Sequence, residues 1–185
     1  TTIYSTTMIN NSEIIEYSLQ VPIIGFSVND IGTIKIEISY DFKLNIYNLV
    51  TNYKTSIPLN IQEIDINILW ITDTLFIIYT DINIYIYQII IYYDHSISLF
   101  INNGNDFQLN SNNKQIKKII KLSETCIGIL YNNEFKLFKI KYNSNNITIK
   151  EIYNTSLLNY EEYYHITQYN TKHNNYILLF STNYV

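Results

Sequence analysis

Three stretches of the chain share one pattern of polar and apolar positions. They are Tyr40-Asp41-Phe42-Lys43-Leu44-Asn45-Ile46-Tyr47-Asn48-Leu49, Thr80-Asp81-Ile82-Asn83-Ile84-Tyr85-Ile86-Tyr87-Gln88-Ile89 and Asn132-Asn133-Glu134-Phe135-Lys136-Leu137-Phe138-Lys139-Ile140. Each places a polar turn ahead of a run that ends apolar, aromatic, polar, apolar. Period-two alternation sends successive side chains to opposite faces of a strand, so each stretch predicts a tight turn entering a β-strand. The same reading predicts strands at Ile3–Met8, Ile14–Leu19, Ile23–Val28, Thr33–Ser39, Lys43–Val50, Thr55–Asn60, Ile64–Ile71, Thr74–Thr80, Asn83–Ile91 and Ser96–Ile101. Further strands are predicted at Ile116–Leu122, Cys126–Tyr131, Phe135–Lys141, Ile147–Tyr153, Tyr163–Gln168 and Tyr176–Ser181. Asn and Asp mark most of the breaks; they bond to their own backbone and tolerate positive φ. No run holds the i, i+3, i+4, i+7 spacing over three turns. The nearest, Asn113 to Leu122, suits a short strand as well.

The turn residues Asp41, Asp81, Asn132 and Asn183 recur at intervals of 40, 51 and 51 residues. About four predicted strands fill each interval, the content of a propeller blade, and repeats of the WD type run to roughly 40–45 residues. The fold class expected is all-β and propeller-like, built from four-stranded antiparallel blades, as one domain over 1–185 or a segment of a larger propeller. Blade units are expected near 22–60, 64–110, 116–154 and 163–185. A blade buries both faces against its neighbours. Inner strands should therefore be continuously apolar, as Leu75-Phe76-Ile77-Ile78-Tyr79 and Ile127-Gly128-Ile129-Leu130-Tyr131 are. Outermost strands should alternate, as Ile147-Thr148-Ile149-Lys150-Glu151-Ile152 does.

The unit resembles the WD40 repeat, in which a strand, a turn bearing Asp, and a strand ending apolar-Trp-Asp-apolar recur. Asp41 and Asp81 stand at the turn position, with Asn132 in the third unit and Asn183 in a fourth. Tyr47, Tyr87 and Phe138 stand where the family places Trp, and Asn48, Gln88 and Lys139 where it places the second Asp. No Gly-His pair precedes any first strand. The resemblance implies a propeller whose Asp–His–Ser/Thr–Trp hydrogen-bond network is absent or much reduced. It also implies kinship in kind with divergent propellers of large assemblies.

Composition alters the weight of these signals. The chain has 38 Ile against 4 Val, with 26 Asn, 19 Tyr and no Ala or Arg. The simplest account is coding drift toward AT-rich codons, under which individual Ile, Asn and Tyr carry little message and position carries more. A net charge of −4 without Arg argues against a nucleic-acid surface. The cluster Lys114, Lys117, Lys118 and Lys121 reads as a solvated strand face or loop. One cysteine, Cys126, excludes an internal disulfide framework and reads as an inert core thiol. The sequons at Asn10, Asn146 and Asn154 are no more than so Asn-rich a chain provides by chance. The apolar stretch Ile82 to Tyr93 falls short of the roughly 20 residues that span a bilayer.

Chemistry is sparse. His95, His165 and His173 make no metal-ligand spacing, Asp65 and Asp73 flank the strand carrying Trp70, and Glu161-Glu162 fall in a polar linker. Phosphate-loop, dinucleotide-binding and nucleophile-elbow motifs are missing, and four glycines leave little material for them. Trp70 is expected in or near the core. No cofactor, metal or catalytic residue is expected. The expected role is a non-catalytic protein-interaction scaffold within a multi-protein assembly. Its partners would be other protein subunits, with neither nucleic acid nor a membrane span, in the cytoplasm or nucleus. Asn102–Asn113 and Asn154–Glu162 are its expected contact loops. The alternatives are a propeller hydrolase with channel carboxylates, or a viral or secreted β-sandwich binding a ligand.

Overall fold

The computed structural model describes residues 7–10, 13–16, 21–59, 61, 63–101, 114–143, 146–157, 163–170, 172 and 175–181. Every regular element among them is a strand. A short hairpin, β1 (Thr7–Asn10) and β2 (Glu13–Glu16), comes first. A four-stranded meander follows, comprising β3 (Ile23–Val28), β4 (Ile34–Ser39), β5 (Lys43–Asn48) and β6 (Lys54–Pro58). The second comprises β7 (Asn67–Trp70), β8 (Leu75–Tyr79), β9 (Ile84–Ile91) and β10 (Ile97–Ile101). The third comprises β11 (Ile116–Ser123), β12 (Cys126–Tyr131), β13 (Glu134–Asn143) and β14 (Asn146–Ser156). A last hairpin joins β15 (Tyr163–Asn170) to β16 (Asn175–Ser181). All pairings are antiparallel between consecutive strands. No helix among the described residues is long and apolar enough to cross a membrane.

The sheets pack face to face in chain order. Ile34, Ile36, Ile38, Leu44 and Ile46 of the first sheet meet Phe76, Ile78, Tyr87 and Ile89 of the second. The opposite face of the second, through Leu75, Ile77, Tyr79 and Ile86, meets Ile127, Ile129, Phe138 and Ile140 of the third. Beyond it, Leu130 and Phe135 pack on Ile166 of the final hairpin. The first strand of each unit is the inner one: β7 lies against β3 and β11, and β11 against β15. This is a radial stack of blades, each burying on its neighbours what it cannot bury alone.

The apolar pattern explains the layering. All of β8 is buried, and β12 is buried apart from Cys126, because each is the second strand of a blade covered on both faces. Outer β14 alternates at Asn146–Lys150, with Ile147 buried and Thr148 exposed, until a bulge at Ile152 breaks its register with β13. It continues as strand through Ser156, so the expected loop from Asn154 begins later than the sequence suggested. The residues 102–113 lie outside the described residues. Ile116–Ser123 is strand, since Ile116 and Ile119 drop into the core between the second and third blades while β11 pairs along β12.

Two side chains pin the first blade to the second. Asn29, buried after β3, accepts from the Thr33 and Ile34 amides through Oδ1 at 2.8 and 3.0 Å. Its Nδ2 donates to Thr33 Oγ1 at 3.0 Å and across the interface to the Asp73 carbonyl at 3.1 Å. Trp70 sits in the core, as expected, and its indole N–H donates to Ser27 Oγ at 3.1 Å, from β7 to β3.

Candidate functional site

The repeated turn joins the second and third strands of every blade. In the first blade Ser39 Oγ donates to Asp41 Oδ1 at 2.5 Å, and Lys43 Nζ lies 2.6 Å from Asp41 Oδ2. The Lys43 and Ser39 bonds hold the Asp41 carboxyl below its usual range. Phe42 takes the left-handed φ of 57° that closes the turn. In the second blade Asp81 is exposed, and Thr80 organises the turn instead: its Oγ1 accepts from the Ile82 and Asn83 amides at 3.2 and 3.0 Å. The Asp81 carbonyl accepts from Ile116 N at 2.6 Å, which ties this turn to the entry of the third blade. In the third blade Asn132 Nδ2 donates to Gln115 Oε1 at 3.3 Å. The charge there moves to Glu134, which lies 2.5 Å from Lys114 Nζ and 3.4 Å from Lys136 Nζ. Burial alone would raise the Glu134 pKa, but these two cations hold it below the ordinary value. Asn183 lies outside the described residues. One position of the repeat thus meets three local solutions.

The aromatic position shows more. Tyr87 is buried between the first and second blades, stacked on Phe76 at 5.4 Å between ring centroids. Phe138 is buried between the second and third. Tyr47 is only half-buried and belongs to neither core. Cross-strand register makes the three comparable: Tyr87 lies opposite Phe76, Phe138 opposite Ile127, and Tyr47 opposite Lys35. Two residues on along the second strand, Ile78 and Ile129 are buried, while the first blade has Glu37. The surface that carries an apolar interblade contact in the second and third blades is therefore charged in the first.

That surface is ordered. Tyr47 lies between Lys35 on β4 and Lys54 on β6, with Nζ atoms 4.7 and 5.0 Å from its ring centroid, as cation–π contacts require. Lys35 Nζ also pairs with Glu37 at 2.6 Å. This bond raises the Lys35 pKa. Burial acts to raise the Glu37 pKa, yet bonds from Lys35 and Tyr47 leave it lowered. Glu37, Tyr47 and Lys54, together with Ser39, Asp41, Lys43 and Ser56, border a hollow of about 690 Å³. Phe26 and Val28 on β3 pair with Glu37 and Lys35, so they share this face; they are 71% and 41% exposed. Asn48, at the position of the family's second Asp, caps the following turn by accepting from the Val50 and Thr51 amides at 3.0 and 3.1 Å.

The remaining candidates do not converge. His95 occupies a turn at φ 67° and His165 packs on Phe180, while His173, Glu161 and Glu162 lie outside the described residues. Asp65 and Asp73 are exposed beyond opposite ends of β7. Among the described residues no three His, Cys, Asp or Glu gather as metal ligands would. Cys126 is half-buried at the start of β12 rather than in the core, and burial pushes its thiol pKa up. Of the lysine cluster, Lys114 pairs with Glu134, and Lys121 reaches Asp30 of the first blade at 2.8 Å. Sequence reasoning missed the interblade role of Asn29 and the charged face around Tyr47. The second had a signal, the strict alternation of Ile34-Lys35-Ile36-Glu37-Ile38 in a chain whose other second strands are apolar throughout.

No protein-family model matches the chain, and no curated protein does. Solved structures do. The WD40 domain of SCAP from fission yeast superposes with a TM-score of 0.56 at 9% identity, over 88% of this chain and 38% of that one. Hsv2 of Kluyveromyces lactis gives 0.48 at 13% identity, over 75% and 48%. A chain of the yeast Nup82-Nup159-Nup116 nucleoporin complex gives 0.45 at 15% identity, over 67% and 32%. The chain spans about half the length of the Hsv2 structure it matches. At these identities the likeness concerns the fold, and it agrees with the blade order and interblade cores: the chain has the fold of a degenerate WD40-like β-propeller, with three complete four-stranded blades among the described residues.

Proposed function

We propose that the chain is a protein-interaction scaffold, one propeller domain or a segment of one within a multi-protein assembly, acting without chemistry of its own. The observation that supports this most is the contrast between buried and exposed groups. Apolar side chains lock the blades to one another, while the polar groups outside those cores are spent on turn closure and pairwise ion contacts. A rigid frame of this kind presents edges, turns and the exposed face of the first blade in fixed relative positions. The repeat residues Asp41, Tyr47, Asp81, Tyr87, Asn132, Phe138 and Asn183 are proposed to shape blades rather than to contact ligands. Other protein subunits are the proposed partners, and the cytoplasm or nucleus the proposed compartment.

Purification of the tagged protein from its native cells under mild conditions, with subunit stoichiometry measured by mass spectrometry, tests the reading. Stable subunits in fixed ratio are expected. A folded, monodisperse monomer without partners would overturn it.

A further inference from the structure

The outward face of the first blade differs in kind from every other blade face described. Its rows across β3–β6 read Val28, Lys35, Tyr47, Lys54, then Phe26, Glu37, Asn45, Ser56. A solvated strand face needs no order, yet this one aligns two ammonium groups on one aromatic ring and sets an apolar ledge beside them. Its charges do not cancel. Lys35 is matched by Glu37 and Lys43 by Asp41. Lys54, the third cation, has no carboxylate within ion-pair reach among the described residues; its close contact is the Tyr47 ring. In a chain of net charge −4, this face carries a surplus cation. The ledge of Phe26 and Val28, with Ile23 at 51% exposure, runs along the innermost strand of the blade. Exposed apolar side chains rimmed by polar ones mark interaction sites.

We propose that this face docks an extended segment of a partner protein that carries carboxylates beside apolar side chains. The carboxylates would meet Lys54 and the outer edge of the Lys35–Tyr47 pair, while apolar groups cover Phe26 and Val28. The proposal rests on the scaffold reading and names the surface through which it would act. An uncharged apolar partner is disfavoured, because covering Lys54 and the Lys35–Glu37 pair without compensating groups would desolvate them at a loss. A basic partner is disfavoured by the surplus cation.

The test uses a short fluorescein-labelled peptide alternating glutamate and leucine, followed by fluorescence anisotropy against the full chain. Its lysine–leucine and glutamate–serine counterparts are the controls. Saturable binding of the glutamate–leucine peptide is expected, weakening as salt is raised. Lys54→Glu should weaken it about tenfold or more, since it replaces attraction by like-charge repulsion. Phe26→Ser should also weaken it, Lys54→Arg should retain it, and Lys150→Glu on outer β14 should leave it unchanged. Equal binding of the lysine–leucine peptide, no saturable binding, or indifference to Lys54→Glu would overturn the proposal. So would protection of Lys54 from a water-soluble amine reagent in the isolated chain, because another segment of the same chain would then fill the face. The two readings separate in the native complex: if Lys54→Glu with Phe26→Ser leaves the subunits bound, the scaffold reading stands and this surface falls.

Discussion

Gly128 offers the sharpest test of blade packing. It lies in the middle of β12, where both faces of the sheet are buried. A Cβ added there would sit 2.9 Å from Phe135 Cε2, 3.1 Å from Phe135 Cζ and 3.4 Å from Ile120 Cγ1. Two effects oppose one another in Gly128→Ala. Removing glycine from a strand interior gains about 0.5–1 kcal/mol by restricting the unfolded chain. Forcing a methyl into a filled site costs about 1–3 kcal/mol. The outcome depends on whether the Phe135 ring can withdraw. It cannot do so freely: it is 4% exposed, in a cluster with Leu130 and Ile166, and Ile120, Leu137 and Leu179 pack against that cluster. The clash therefore outweighs the entropic gain, and the net destabilisation expected is about 1–2 kcal/mol. Urea unfolding followed by far-ultraviolet circular dichroism should show a lower midpoint with an unchanged slope. The partner variant Phe135→Leu removes the offending ring edge. Combined with Gly128→Ala it should cost less than the two singles summed, by about 1 kcal/mol of coupling. A stabilised Gly128→Ala protein, or strict additivity in the double variant, would refute the assigned contact.

Three further outcomes are expected. Asn29→Ala removes the side chain that both closes the first-blade turn and reaches the Asp73 carbonyl, and it should lower stability on the order of 2 kcal/mol; unchanged urea unfolding would contradict the interblade role. Glu134 has a folded-state pKa below its unfolded one, so its contribution is present above the ordinary carboxylate range and fades as pH falls through the lowered value. Glu134→Gln should therefore cost stability at neutral pH and progressively less on acidification, and a constant difference across an acid titration of the midpoint would refute the linkage. Lys35→Phe with Glu37→Ile recreates on the first blade the pairing that Phe76 and Ile78 make on the second. Light scattering should then detect self-association through a new apolar patch, and a monomer indistinguishable from the parent would show that this face was already covered.

The sequence made the blades legible because their information is periodic. Turn polar residue, apolar run and aromatic recur in phase, and a one-residue slip would send each aromatic to the wrong face. The strands from β2 to β16 therefore fall close to their expected places; of the expected Ile3–Met8 only Thr7 and Met8 lie among the described residues, at the start of β1. The ends of elements were less legible, because they depend on partners distant in the chain. β14 runs on to Ser156 because β13 reaches back to Glu134 to pair with it. Cys126 reads as core by its neighbours, yet it stands at the strand's first residue and is only half-buried.

The repeat fixed the position of an aromatic but left its environment open. Tyr47, Tyr87 and Phe138 follow their turns at the same interval. What distinguishes them is the residue opposite: Phe76 and Ile127 make a blade–blade contact, and Lys35 makes a solvated cation–π pair. A search for catalytic motifs passes over this difference, since no residue in it is reactive. A comparison of cross-strand neighbours finds it, because an apolar-to-lysine exchange at a blade interface carries a desolvation cost that apolar packing does not recover. Charge at this one face carries a desolvation cost that the apolar packing joining the other blades does not meet, and a segment bearing carboxylates beside apolar groups is the occupant proposed for it.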